Sequence, residues 1–204
     1  MRARRRAEAE MGHPAGKKED TRTRIVAGAG RAFRRMGYGA GVDGLAKAAG
    51  VTSGAFYTHF SSKADVFREA VVAGLRELQS GVRGLQATSK SRWLRRFVDF
   101  YVSEKRTCAP SESCALQSLT GEVARADDET RAAYETELAG VIDATAAGID
   151  ADSRRERRRQ AIVLLALLSG GVSLSRAVLD PARAAEIADA VRAECARFVG
   201  RSVE

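Results

Sequence analysis

The stretch AGVTSGAFYTHFSSK, residues 49–63, limits what this chain can fold into more than any other. Just before it, GVDGLAKAAG reads as a short helix with Val42, Leu45, Ala46 and Ala49 turned inward. Gly50 suits the left-handed residue that stops a helix. Val51 plugs the turn, and Thr52 or Ser53 can cap a second helix running from about Ser53 to Phe60. Phe56 and Phe60 are four apart and share a face, so Ala55, Thr58 and His59 project from a face the core does not need. Two short helices joined by a glycine turn make a helix-turn-helix. Ser62 with Asp65 three residues on resembles a capping box and opens a long helix to about Val82.

The remaining chain repeats the helical period. KEDTRTRIVAGAGRAFRRMGYG places Ile25, Ala29, Ala32, Phe33 and Met36 on one face and Arg24, Arg31, Arg34 and Arg35 on the other, with a start at Asp20 or Thr21. Gly28 and Gly30 weaken that helix, and close packing of another helix is a reason to tolerate them. Further helices are expected over about 90–105, 113–125, 128–148, 153–178 and 182–199. No stretch alternates like a strand, prolines number three, and alanine, leucine and arginine dominate. The expected fold class is all-α.

Charge is distributed unevenly. Residues 1–68 hold 14 Lys+Arg against 6 Asp+Glu, which accounts for the whole formal charge of +8; residues 69–204 balance. The excess survives removal of the arginine-rich residues 1–19. Positive charge confined to one region points to a polyanion, most plausibly nucleic acid. In a helix-turn-helix the second helix enters the major groove and its early residues reach base edges. That explains the polar face of residues 53–60: its partner is a DNA strand. Tyr57 and His59 have the length to reach phosphates, and Lys63 adds a charge beside a helix N-terminus.

The segment RIVAGAGRAFRRMGYGAGVDGLAKAAGVTSGAFYTHFSSKADVFREAV resembles the DNA-binding region of the tetracycline-repressor (TetR) family of bacterial transcription regulators. Ala32-Phe33, Gly37-Tyr38, Leu45-Ala46, Ala49-Gly50-Val51, the Phe-Tyr-x-His-Phe block and Lys63 carry the likeness, over about residues 21–72. The resemblance implies a basic flexible arm (1–19), a three-helix DNA-binding head (20–66) and a larger helical body (67–204) that binds an effector and forms a homodimer. It points to Thr52, Ser53, Gly54 and Ala55 near bases, and to Tyr57, Thr58, His59 and Lys63 on or near phosphates of a double-stranded operator. Ala40 and Gly41 depart from the hydroxyl residues usual before the second helix, and Gly44 weakens it. Gly54 and Ala55 offer little hydrogen bonding to bases, which shifts sequence preference toward thymine methyls and DNA shape.

In the body, Trp93, Phe97, Phe100 and Tyr101, with Tyr134, are candidates to line a cavity for a hydrophobic or aromatic small molecule. The apolar helix from about Ser153 is expected to pair with the last helix as half of a four-helix dimer interface. Leu165, Leu168, Gly171 and Leu174 would come from the first, and Ile187 and Val191 from the second. Cys114 lies near a helix N-terminus, where the positive end favours a thiolate, with Cys108 six residues before it. This leaves an alternative on the same scaffold: a cysteine sensor of electrophiles or oxidants, or a thiol-dependent enzyme. The enzyme reading lacks a histidine placed to activate the thiol, since His13 is in the tail and His59 in the head; the chain is expected not to be an enzyme. No metal-ligand spacing is recognised and no cofactor is expected. The apolar run from Ala161 looks too short for a membrane span and no secretory leader is read, so the expectation is a cytoplasmic, nucleoid-associated protein without a membrane partner.

Overall fold

The computed structural model describes residues 14–200, with side chains over residues 18–197. Among the described residues nine α-helices follow one another: α1 Pro14–Met36, α2 Val42–Ala49, α3 Ser53–His59, α4 Lys63–Ser89, α5 Trp93–Phe100, α6 Ala115–Val123, α7 Asp128–Ala147, α8 Arg154–Ala177 and α9 Pro181–Gly200. The fold is all-α, with no strand among the described residues.

Helices α1 to α3 form the head. Ile25, Ala29 and Phe33 of α1, Leu45 and Ala46 of α2, and Phe56 and Phe60 around α3 are buried together. Gly28 is required here: a Cβ on it would lie 2.6 Å from the Cα of Ala49, so α2 could not approach α1 as it does. Gly50 has φ of 68° and closes α2 as its left-handed cap. Met36, expected inward, is exposed, because α1 ends there and the chain turns at Gly37. The helix also starts earlier than Asp20 or Thr21, at Pro14. So residues 14–19 of the expected flexible arm are helical, and residues 1–13, His13 among them, lie outside the described residues.

Helix α4 joins head to body without a break. It begins on the Ser62 cap, whose hydroxyl accepts from the Asp65 N–H at 3.1 Å. Asp65 answers to the backbone N–H of Ser61 rather than of Ser62, a one-residue variant of the box. The helix ends at Ser89, well past Val82, where Lys90 adopts φ of 47°. The expected boundary at 66–67 therefore falls inside a helix. Val66, Phe67 and Ala70 pack on the head, and Gly74, Leu75 and Val82 on the body. Phe67 meets Phe33 and Tyr38 edge-on, both with ring centroids 5.0 Å apart.

In the body, α4 packs along α7, α7 along α8 and α8 along α9. Asp127 caps α7, and the Thr130 N–H it accepts holds its carboxylate below the usual range. Ser153 caps α8 by accepting from the Glu156 N–H. Helix α8 is long and apolar enough, by length and composition, to cross a membrane, contrary to the sequence expectation. Leu164, Leu165, Leu168 and Val172 on it are nevertheless buried among the body's other helices, as befits the central helix of a bundle.

Candidate nucleic-acid interface and effector cavity

Helix α3 is held by its apolar side and leaves its polar side open. Thr52 caps it, its hydroxyl accepting from the Ala55 N–H at 3.1 Å. Phe56 and Phe60 are fully buried with ring centroids 5.8 Å apart. Tyr57, the residue between, is 57% exposed. Thr52, Gly54 and Thr58 are also exposed, while Ser53, Ala55 and His59 are half-buried. The eight residues singled out from the sequence thus cluster on and beside one short helix.

Several of them already have internal partners. Ser53 donates to the Asp43 carboxylate at 2.6 Å, which pins α3 to α2. Thr58 donates back to the Gly54 carbonyl. His59 has its Nδ1 buried without a partner, so an outside contact must come through Nε2. Lys63 donates to the Tyr38 carbonyl at 2.7 Å and lies 4.2 Å from the centre of the Tyr38 ring. Its ammonium braces the turn after α1 as well as adding charge. Gly41 starts α2 with no side-chain cap, as the missing hydroxyl at positions 40 and 41 implied.

The head carries exposed basic side chains at Lys18, Arg24, Arg31, Arg35 and Lys47. The Arg24 guanidinium lies beside the α2–α3 turn, 3.5 Å from where a Cβ on Gly50 would sit. Arg22 instead is bound to Glu69 at 2.9 Å and covers the Phe60 ring. Arg34 turns away from this face altogether. Its Nε donates to the Ser111 carbonyl in the body at 2.9 Å.

The body holds an open-sided cavity of about 700 Å³ between α4, α5 with the stretch after it, and residues 112–115. Phe97, Phe100, Tyr101 and Cys114 line it, as expected from the sequence; Trp93 and Tyr134 do not. The Trp93 indole is buried and donates to the Gly148 carbonyl at 2.9 Å, which locks α5 to the end of α7. Tyr134 shares a 2.8 Å hydrogen bond with Thr120. Burial pushes its phenol pKa up, and the Thr120 bond opposes that. Leu78, Val82 and Leu85 add apolar surface from α4. The lining is mostly apolar by area, although Arg34, Glu77, Arg96, Asp99, Glu104, Lys105 and Glu112 also border it. Those charges come from four separate segments, and no single helical period reveals them.

After α5 the chain widens into a π-helical stretch, Tyr101–Lys105, on the cavity wall. Such stretches frequently mark functional sites, and nothing in the sequence period signalled this one. Tyr101 is buried there and donates its hydroxyl to the Cys114 sulfur at 2.7 Å. Burial, then the neighbouring thiol, drives the Tyr101 pKa well above its ordinary value, so the hydroxyl stays a donor. Cys114 stands at the start of α6. His59, the one histidine among the described residues, lies in the head and is not placed to activate it. Cys108 is tied elsewhere: Arg176 of α8 donates to the carbonyls of Lys105 and Cys108 at 2.7 and 2.9 Å.

The expected dimer residues divide. Leu165, Leu168 and Gly171 are buried within the single chain and belong to its core. Gly171 is where α9 crosses: a Cβ there would lie 2.5 Å from the Val191 side chain. Ile187 and Val191 are half-buried. Leu174, by contrast, is 61% exposed, and Ile162 on the same face is 45% exposed. With exposed Ala166 and Gly170 they form a stripe at intervals of four along α8.

Residues 25–70 match the family model of bacterial regulatory proteins, tetR family. The head is therefore of the helix-turn-helix type found in bacterial regulatory proteins of the tetR family. The whole fold is shared with solved structures at low identity. E. coli NemR in its reduced form aligns with a TM-score of 0.71 and 21% identity, over 86% of this chain and 95% of that one. A TetR-family regulator from Agrobacterium tumefaciens gives 0.72 and 18%, over 88% and 98%. One from Cytophaga hutchinsonii gives 0.72 and 18%, over 92% and 98%. No curated protein matches the chain.

Proposed function

We propose that this chain is a tetR-family repressor that binds a palindromic operator as a homodimer and is released when a small molecule enters the cavity of the body. The observation that carries the reading is the two-sidedness of α3: Phe56 and Phe60 are buried while Tyr57, the residue after Phe56, stands more than half exposed. In this reading Thr52, Ser53, Gly54 and Ala55 approach bases, and Tyr57, Thr58, His59 through Nε2, Lys63 and Arg24 approach phosphates. Ser53, its proton given to Asp43, can still accept from a base amino group. Pairing of two copies through the Ile162–Ala166–Gly170–Leu174 stripe supplies two heads. Heads set one DNA turn apart, roughly 34–36 Å, or a multiple of it, read a palindrome. The effector acts by its difference in affinity between the DNA-fitting and non-fitting states.

Selection of sites from random duplex DNA by the purified protein tests this. Enrichment of one motif with two inverted halves is the expected outcome. Retention of all sequences alike, governed by salt alone, would leave a general DNA binder.

One observation favours a second trigger on the same scaffold. The Cys114 sulfur borders the cavity and is held in place by the Tyr101 hydroxyl. An electrophile admitted to the cavity would form a carbon–sulfur bond there, the thiol proton passing to the adduct. Treatment with N-ethylmaleimide followed by peptide mass mapping and operator release, in the wild type and in Cys114→Ala, separates this trigger from reversible binding.

A further inference from the structure

We propose that the cavity binds an amphipathic organic anion, a carboxylate on an apolar body, and that Arg34 of the head is its counter-ion. This rests on the cavity being the effector site. Three cations border that cavity: Arg34, Arg96 and Lys105. Each has only neutral internal acceptors among the described residues. Arg34 donates to the Ser111 carbonyl, Arg96 to the Ser89 hydroxyl and Lys105 to the Glu112 carbonyl. Elsewhere on the chain Arg22, Arg68, Arg76, Arg159 and Arg192 all sit against carboxylates. The carboxylates on the cavity border, Glu77, Asp99, Glu104 and Glu112, are exposed and solvated, and Asp99 is taken by Arg192. Arg34 is half-buried, and of its five N–H donors only Nε has an acceptor among the described residues. A planar guanidinium with its fork free is matched by a carboxylate in two parallel hydrogen bonds. Leu78, Val82 and Phe97 supply apolar surface for the rest of such a molecule. The volume is that of a small-molecule site.

The position of Arg34 makes the same contact regulatory. It belongs to α1, the helix on which α2 packs, and α2 in turn packs against α3. Its present partner, Ser111, lies in the turn Pro110–Glu112, just before Cys114. Arg176 of α8 grips the start of that segment at Lys105 and Cys108. A carboxylate that draws Arg34 from Ser111 therefore shifts a link between the head and a segment anchored to the helix that bears the dimer stripe. Lys105 and Arg96 add positive potential without carrying that link.

Calorimetric titration with decanoate and 2-naphthoate, each beside its neutral amide, tests the ligand class on the full chain. At least one carboxylate should bind about ten-fold or more tighter than its amide. In Arg34→Gln that preference should vanish while amide binding persists, and Arg34→Lys should restore part of it. Lys105→Gln should reduce it without abolishing it. On the selected duplex, the carboxylate should weaken wild-type binding by about ten-fold, within the usual range of coupling between sites, and Arg34→Gln binding by much less. Equal binding of acid and amide, no binding of either acid at millimolar concentration, or an unchanged preference in Arg34→Gln overturns the assignment. Binding that passes every calorimetric test but never alters DNA affinity leaves Arg34 as the anion's partner and overturns its regulatory role, and with it the effector reading. Melting temperatures of each variant show that the comparison is made on folded protein.

Discussion

The head and the body solve opposite problems with the same helices. In the head, apolar residues close inward and polar groups are left facing out, so the working surface is the outside of α3. In the body, apolar and aromatic side chains line an open-sided cavity with charged groups at its rim, and an apolar stripe on α8 is left facing out. A head needs little depth: Phe56 and Phe60 hold α3, and the caps at Thr52 and Ser62 are each set by a residue three positions on. The body's surfaces arise from segments far apart in the chain. Arg34 meets Ser111 across 77 positions and Arg176 meets Lys105 across 71.

The comparison breaks most visibly through its anchors. Phe56→Ala removes a fully buried ring from the head's small core and should cost about 3–5 kcal/mol, with loss of operator binding. Urea unfolding followed by circular dichroism measures it. In the body the same logic separates two leucines six residues apart on α8. Leu168→Ala, fully buried, should cost about 2–5 kcal/mol of stability. Leu174→Glu should leave single-chain stability within about 0.5 kcal/mol, as surface changes usually do, yet convert the dimer to monomers in light scattering. If Leu174→Glu remained a dimer, the α8 stripe would not be the interface.

Smaller effects sharpen the same contrast. Tyr57→Ala should weaken binding to the operator and to unrelated duplexes by a similar factor, about five- to ten-fold for one lost hydrogen bond. Fluorescence anisotropy on both duplexes reads it. Cys195 carries the smallest effect. Burial first, and Glu194 after it, push its thiol pKa up to about 11. The unfolded chain loses this proton near pH 9, so above that the unfolded state binds fewer protons than the folded one. Stability should then fall as pH rises from about 9 to about 11. Cys195→Ala should flatten that fall, and urea midpoints over the window show it.

What could be read from the sequence follows the same divide. The turn at Gly50, the Thr52 cap, the Ser62 cap and the burial of Phe56 and Phe60 are all local, and each was legible. The closeness of α1 and α2 at Gly28 was legible as a tolerance for glycine, though not its partner Ala49. Arg34 was misread as one of the polar face of α1, because helical spacing gives a residue's side of its own helix and not what a segment 77 positions away places there. The inward turn of Leu165, Leu168 and Gly171 escaped the sequence for the same reason. An all-round apolar helix has one face against its own bundle and one outside, and only the packing of α9 at Gly171 decides which is which. Trp93 and Tyr134 share the aromatic character of the true cavity residues, but their polar atoms are taken up by Gly148 and Thr120 instead.

The central claim is that α3, on a paired scaffold, reads a particular DNA sequence. Fluorescence anisotropy of the selected duplex and of a scrambled duplex of equal composition, across a series of salt concentrations, tests it most directly. The account predicts that the selected duplex binds at least about a thousand-fold tighter at physiological salt, with two protomers per duplex. Equal affinities for the two duplexes at every salt concentration would contradict it.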